Sequence, residues 1–125
     1  MNSARMDEPV RGAIDLETLR QFVGDEDDIV QHFLGRFFAR LDTSMASMRR
    51  MILLQQWSEA SRLAHDMRTS AIAIGASDLA MLCASMEKLA IVRDQQQTNA
   101  LFDEMDCSFT EVQKAISERR FKPTL

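Results

Sequence analysis

Only two side chains in this sequence, His32 and His65, titrate near neutral pH in their ordinary state. A neutral imidazole, with a reference pKa near ~6.5, is a nucleophile at intracellular pH. The two histidines keep different company. On a helix, His65 has Arg68 at i+3, Thr69 at i+4, Ser61 at i−4 and Ile72 at i+7. At about 100° per residue, His65 points roughly 140° away from the apolar stripe of Ala60, Ala64, Met67 and Ala71, so it faces solvent. An exposed imidazole with a cation one turn along and an apolar residue two turns along could hold a phosphoryl group and a docking partner. Taken alone, a solvent-facing histidine is ordinarily an inert surface residue, and His32 is read that way.

Other constellations that carry chemistry are missing from the sequence. It contains no P-loop, no Gly-rich dinucleotide turn, no H-E-x-x-H and no G-x-S-x-G. The Glu-x-x-His pairs of di-iron bundles are absent as well. Cys83 and Cys107 are too few and too unpatterned for a disulfide framework or a zinc site. No metal site is expected, and no independent enzyme.

The elements that must position His65 follow from apolar periodicity. Residues 1–13 read as a flexible arm broken by Pro9 and Gly12. Asp15 can cap a short helix through Phe22, stopped by Gly24. A long helix is expected from Asp25, with Ile29, Phe33, Phe37, Leu41, Met45, Met48 and Ile52 as its apolar stripe, widened by Leu34 and Phe38. Near Gln56 the phase resets and a third helix carries Ala60, Leu63, Ala64, Met67, Ala71 and Ile74 inward, to a stop at Gly75. A fourth opens at Ala76 or Ser77, with Leu79, Leu82, Cys83, Met86, Leu89 and Ala90 inward. Arg93 to Thr98 reads as a turn, and a last helix from about Asn99 to Arg119 turns Leu101, Met105, Phe109, Val112 and Ile116 inward. Residues 121–125 read as a loose tail. Short loops between long amphipathic helices imply antiparallel neighbours, hence an all-α, up-down four-helix bundle over 14–120 with a short leading helix.

Composition agrees with that class and narrows the function. Four glycines, two prolines and nine methionines in 125 residues, with only 6% aromatics and no tyrosine, favour long helices over strands. A net charge of −4 argues against a nucleic-acid partner, which calls for a basic patch. No apolar run approaches the ~20 residues that cross a bilayer, and the polar first twelve residues lack a secretory signal. Cytoplasmic localisation and a monomer without membrane attachment are expected.

The run Ala64-His65-Asp66-Met67-Arg68-Thr69-Ser70-Ala71, followed by Gly75-Ala76, then Leu79 to Cys83 and Glu87, resembles the histidine phosphotransfer (HPt) family. That family reads A-H-x-L-K-G-S, then G-A, then L-x-x-L-C-x-x-L-E. Upstream, Asp15 to Leu19, Gly24-Asp25 and the helix bearing Phe33, Leu34 and Phe37 are similar too, so the likeness spans about residues 14–118. The resemblance implies a four-helix bundle with a phosphorylated histidine mid-helix, exchanging its phosphoryl group with aspartates of receiver domains. The receivers of response regulators and of a hybrid sensor histidine kinase are the implied partners. They bring the aspartate and the Mg²⁺, so this chain needs no cofactor of its own.

Carried over, His65 is the phosphoryl acceptor. Arg68 replaces the usual lysine, keeping the charge and adding a fork for phosphate oxygens. Thr69 replaces the usual glycine and narrows the approach to His65. Ser77 stands where some members place a polar residue against the imidazole, and a helix N-cap explains it equally. Arg62 could steer the acidic active site of a receiver. Antiparallel packing of the second and third helices is expected to bring Phe38, Asp42 and Met45 beside His65, forming a docking face with Ile72. The alternative is an HPt-like module that docks a receiver or kinase without accepting phosphate. The start at Met1 and the end soon after the last helix are read as a stand-alone carrier, in preference to a fragment of a hybrid kinase.

Overall fold

The computed structural model describes residues 13–119 and Phe121, and among these it is all-helical. The elements are α1 (Glu17–Val23), α2 (Asp27–Leu53), α3 (Trp57–Ala73), α4 (Ser77–Val92) and α5 (Gln95–Ser117). Consecutive long helices run antiparallel and pack side by side, and α2 closes the ring on α5. The short α1 covers the end of the bundle where α2 projects beyond α3. This is the up-down bundle with a leading helix that the periodicity implies. The chain is read as 1–13, 14–120 and 121–125. Of the arm only Ala13 is described, and it packs against the core. Within the tail, Phe121 is half-buried against the core instead of loose; the remaining tail residues lie outside the described ones.

The boundaries have local causes. Asp15 Oδ1 accepts the Glu17 backbone N–H at 3.0 Å, which satisfies one donor at the start of α1. Gly24, at φ +94°, ends it. α2 begins two residues after Asp25, with Asp27 and Asp28 in its positively polarised first turn. At the end of α3, Gly75 has φ +71°, and its carbonyl accepts the Asp15 N–H at 3.1 Å. A Cβ there would fall 1.8 Å from the Asp15 carbonyl oxygen. Only glycine lets the α3–α4 turn lie against the strap leading into α1.

The expected turn over Arg93–Thr98 is shorter in the structure. Arg93 takes the left-handed conformation and ends α4, and Asp94 immediately caps α5 by accepting the Gln97 N–H at 2.9 Å. Three glutamines that looked like linker are therefore the first turn of a helix.

The core is a single cluster drawn from every helix, including Leu34, Leu41, Met48, Met67, Leu79, Met86 and Met105. In the first half of α2 the inward residues are Val30 and Leu34, while Ile29 and Phe33 are exposed and Phe37 is half-buried. The apolar stripe of α2 is wide enough there to allow two phases, and contact with α1 selects the Val30–Leu34 phase. On α5, Phe102 and Ala115 go inward, leaving Leu101 and Ile116 at the margin.

Candidate functional site

Direction around α3 is set by what its flanks touch. The Ser61 hydroxyl is buried and donates to the Glu87 carbonyl of α4 at 2.7 Å. One turn later His65 leans to the same side, with Nδ1 3.2 Å from Oε2 of Glu87. The His65 ring is about half exposed, and the Glu87 carboxylate about one-third. A shallow concavity of about 420 Å³ opens beside them, lined by Ser61, Arg62, His65, Asp66 and Glu87. The histidine thus stands on the α3–α4 seam.

The Nδ1–Glu87 contact has a chemical consequence. A carboxylate can only accept, so in the neutral imidazole this contact favours the tautomer with its proton on Nδ1 and the Nε2 lone pair free. The ring is about half exposed, which leaves it open to an incoming electrophile. If Nε2 takes a substituent while Nδ1 keeps its proton, the ring becomes cationic. Glu87 then sits where it balances that charge.

Arg68 is half-buried, and its charge reaches Cys83 on α4, where it opposes the upward push of burial on the thiol. Burial prevails and holds the Cys83 thiol at about 12, so Cys83 is a protonated core residue. Thr69 is exposed one turn from His65, on the open side of the helix, as the spacing implies. Arg62 is exposed at the rim of the concavity, and Ile72 is 52% exposed two turns from His65 on its side of α3. Arg62 lines the concavity with His65, and Arg68, Thr69 and Ile72 follow along its helix at the expected spacing, so all four share α3 with His65.

Four other candidates do not. Ser77 is the first residue of α4 and makes no capping hydrogen bond; Ala76 occupies the cap position. Ser77 lies ten residues below Glu87, about 15 Å along the helix, beyond contact with the imidazole. Met45 is buried at 5% exposure and belongs to the core. Phe38 stacks on Phe109 of α5, with ring centroids 5.0 Å apart and planes 6° from parallel. Asp42, one turn after Phe38, is exposed on that same α5-facing flank of α2. Antiparallel packing sets the height of α2 residues against α3 but not which flank they occupy, and Phe38 and Asp42 face the wrong neighbour.

Glu87 is the residue that periodicity does not single out. It stands in the quoted motif, yet nothing local to α4 says that its carboxylate meets an imidazole 22 positions earlier. His32 packs edge-on against Phe33 on exposed α2 surface. Among the described residues no group of three or more His, Cys, Asp or Glu could hold a metal ion. No described helix is long and apolar enough to cross a membrane.

The family model described as the Hpt domain matches residues 32–119, from the second turn of α2 to the end of the described bundle. Neither curated proteins nor solved structures yield a significant match to the chain.

Proposed function

The chain belongs to the Hpt domain family, and from that premise we propose that His65 is the phosphoryl acceptor of a multistep phosphorelay. The Nδ1–Glu87 hydrogen bond supports the assignment, because a carboxylate accepting from Nδ1–H favours the tautomer with a free Nε2 lone pair, on a ring about half exposed. In this reading Nε2 attacks the phosphorus of a receiver's phosphoaspartate. The N–P bond forms, the P–O bond to the aspartate breaks, and the aspartate leaves as a carboxylate. The phosphorylated ring keeps its Nδ1 proton, and Glu87 offsets the positive charge that results. The reverse sequence passes the phosphoryl group to a second receiver.

Phosphoryl transfer depends on in-line positioning and on stabilising charge over the phosphoryl oxygens. This chain contributes the positioned imidazole and the nearby guanidinium of Arg68. The receiver contributes the aspartate and Mg²⁺, so the chain acts as a carrier and binds no cofactor. Partners are the receivers of response regulators and of a hybrid sensor kinase, in the cytoplasm. The other reading, docking without phosphate acceptance, draws only on Thr69, whose exposed branched side chain occupies space beside His65.

Transfer itself separates the two. Incubation with a ³²P-labelled phosphoreceiver should give the chain an acid-labile, base-stable label, and an unlabelled second receiver should then remove it. Stable complex formation with receivers and no label under any of them would establish the docking module instead.

A further inference from the structure

A serine inside a helix commonly donates to the carbonyl four residues before it on its own helix. Ser61 reaches across to α4 instead: it is 8% exposed, and its hydroxyl donates to the Glu87 carbonyl at 2.7 Å. A carbonyl oxygen accepts twice, so Glu87 can take this bond beside its own helical one. His65 stands one turn on from Ser61 on the same face of α3 and meets the Glu87 carboxylate at 3.2 Å. One residue of α4 is thus held at its backbone and at its side-chain tip by two residues of α3. Asp66 lines the same concavity, yet the ring's hydrogen bond is to Glu87, so position and not a lack of carboxylates makes the choice. The two bonds differ in firmness. A hydroxyl on a carbonyl is at its optimum at 2.7 Å, whereas 3.2 Å is the long end for an N–H donor. A slide of α4 by about 0.5 Å would take the second beyond hydrogen-bonding distance. α3 and α4 form the most extensive helix pair in the bundle, and their buried positions are rich in alanine, with Ala60, Ala64, Ala80 and Ala90 among them. Methyl groups make shallow ridges that interlock weakly, which leaves fine register to a directed bond.

We propose that Ser61 is a positioning residue of the transfer site: by tying the Glu87 backbone to α3 it keeps the carboxylate on His65 Nδ1, and so keeps Nε2 the unprotonated nitrogen. The inference rests on His65 being the phosphoryl acceptor, and adds to that reading a buried residue that acts only through Glu87. Ser61 therefore governs which ring nitrogen carries the proton and how fast the ring attacks, and leaves the binding of a receiver alone. A hydroxyl that only fills space in the bundle would have no such effect. Ser70 supplies the comparison, since it is a second buried serine on α3, 6% exposed and more than one turn beyond His65.

The test reads the tautomer directly, from long-range ¹⁵N–¹H correlation spectra of the full chain at a pH where the ring is neutral, with His65→Gln identifying the His65 signals. Uptake from a labelled phosphoreceiver is measured on wild type, Ser61→Ala, Ser70→Ala, Glu87→Ala and the double variant Ser61→Ala/Glu87→Ala. Ser61→Ala should lower the ratio of Nδ1–H to Nε2–H tautomer, and kcat with it, by roughly threefold, the scale of one net hydrogen bond, with KM unchanged. Ser70→Ala should match wild type in both readouts. With Glu87 already removed, the serine substitution should change neither ratio nor kcat, because the tie then has nothing to position. A wild-type tautomer ratio in Ser61→Ala, or a lowered ratio with kcat unmoved, overturns the proposal while leaving His65 as acceptor. An equal fall in Ser70→Ala, or a further fall in the double variant, overturns it too, since the effect would then come from lost packing. Wild type that takes no phosphate from any receiver removes the functional reading and this role of Ser61 with it.

Discussion

Glu87 and His65 form the pair on which the chemistry turns, and both are partly exposed, so their mutual attraction is modest. In the proposed relay, Glu87 would favour one tautomer of His65 and balance the charge of the phosphorylated ring. Glu87→Ala should slow transfer severalfold, as expected for about 1 kcal/mol lost from a charge-assisted hydrogen bond in partial contact with water. Glu87→Gln retains a side-chain oxygen that accepts from Nδ1 and should fall between the two. The melting temperature should hardly move, and a normal rate in Glu87→Ala would show that the contact is incidental. Thr69 poses the opposite case, an exposed β-branched side chain that stiffens the space beside His65. Thr69→Gly should speed transfer to non-cognate receivers and cost only about 0.1–0.4 kcal/mol of stability, measured by denaturant titration. Unchanged rates with every receiver would remove the steric argument. His65, Arg68 and Thr69 are legible in sequence because one helix carries all three, and helical spacing alone places them. Glu87 is not legible in that way: its meeting with His65 depends on how α3 and α4 are rotated against each other.

The same distinction governs the elements. Five helices can be read from apolar spacing and stop signals, since each signal is local to its own segment. Rotation of a helix within its layer is harder to read wherever the apolar arc is broad. On α2 the residues Ile29, Val30, Phe33, Leu34, Phe37 and Phe38 offer two inward phases, and neighbouring α1 and α5 decide between them. The Arg93–Asp94 link was obscured by its composition: three glutamines look like linker until an aspartate cap and a left-handed arginine are in place. Glycines make a sharper test of element boundaries. Gly75→Ala meets both an unfavourable φ and the Asp15 carbonyl, so it should cost more than the ~1–2 kcal/mol of the left-handed conformation alone. Gly35 sits within α2 with open space around its Cα, and Gly35→Ala should stabilise by about 0.5–1 kcal/mol. Comparable denaturant midpoints for the two variants would mean that the α3–α4 turn does not rest on the α1 strap.

At the scale of the molecule, one continuous core supports a site built on its rim. The two cysteines report on that core from opposite sides. Cys107 is exposed, whereas Cys83 is fully buried with its thiol raised from 9.0 to about 12 by desolvation. Near pH 8 a thiol reagent should modify one cysteine quickly and the second only at the rate of unfolding. Because the folded pKa is the higher one, the contribution of Cys83 to stability is whole below about pH 9 and fades as pH rises towards 12. Rapid modification of both thiols in the native protein would contradict a closed α3–α4 interface. The bundle tolerates changes on its exposed rim, and this permits a clean test of the site. The most direct measurement is phosphoryl uptake from a labelled phosphoreceiver by wild type, His65→Gln and His32→Gln. All three should show the same helical circular dichroism, since both histidines are exposed. His32→Gln should label as wild type does, and His65→Gln should take no acid-labile label at all; label on the His65→Gln protein would contradict the account.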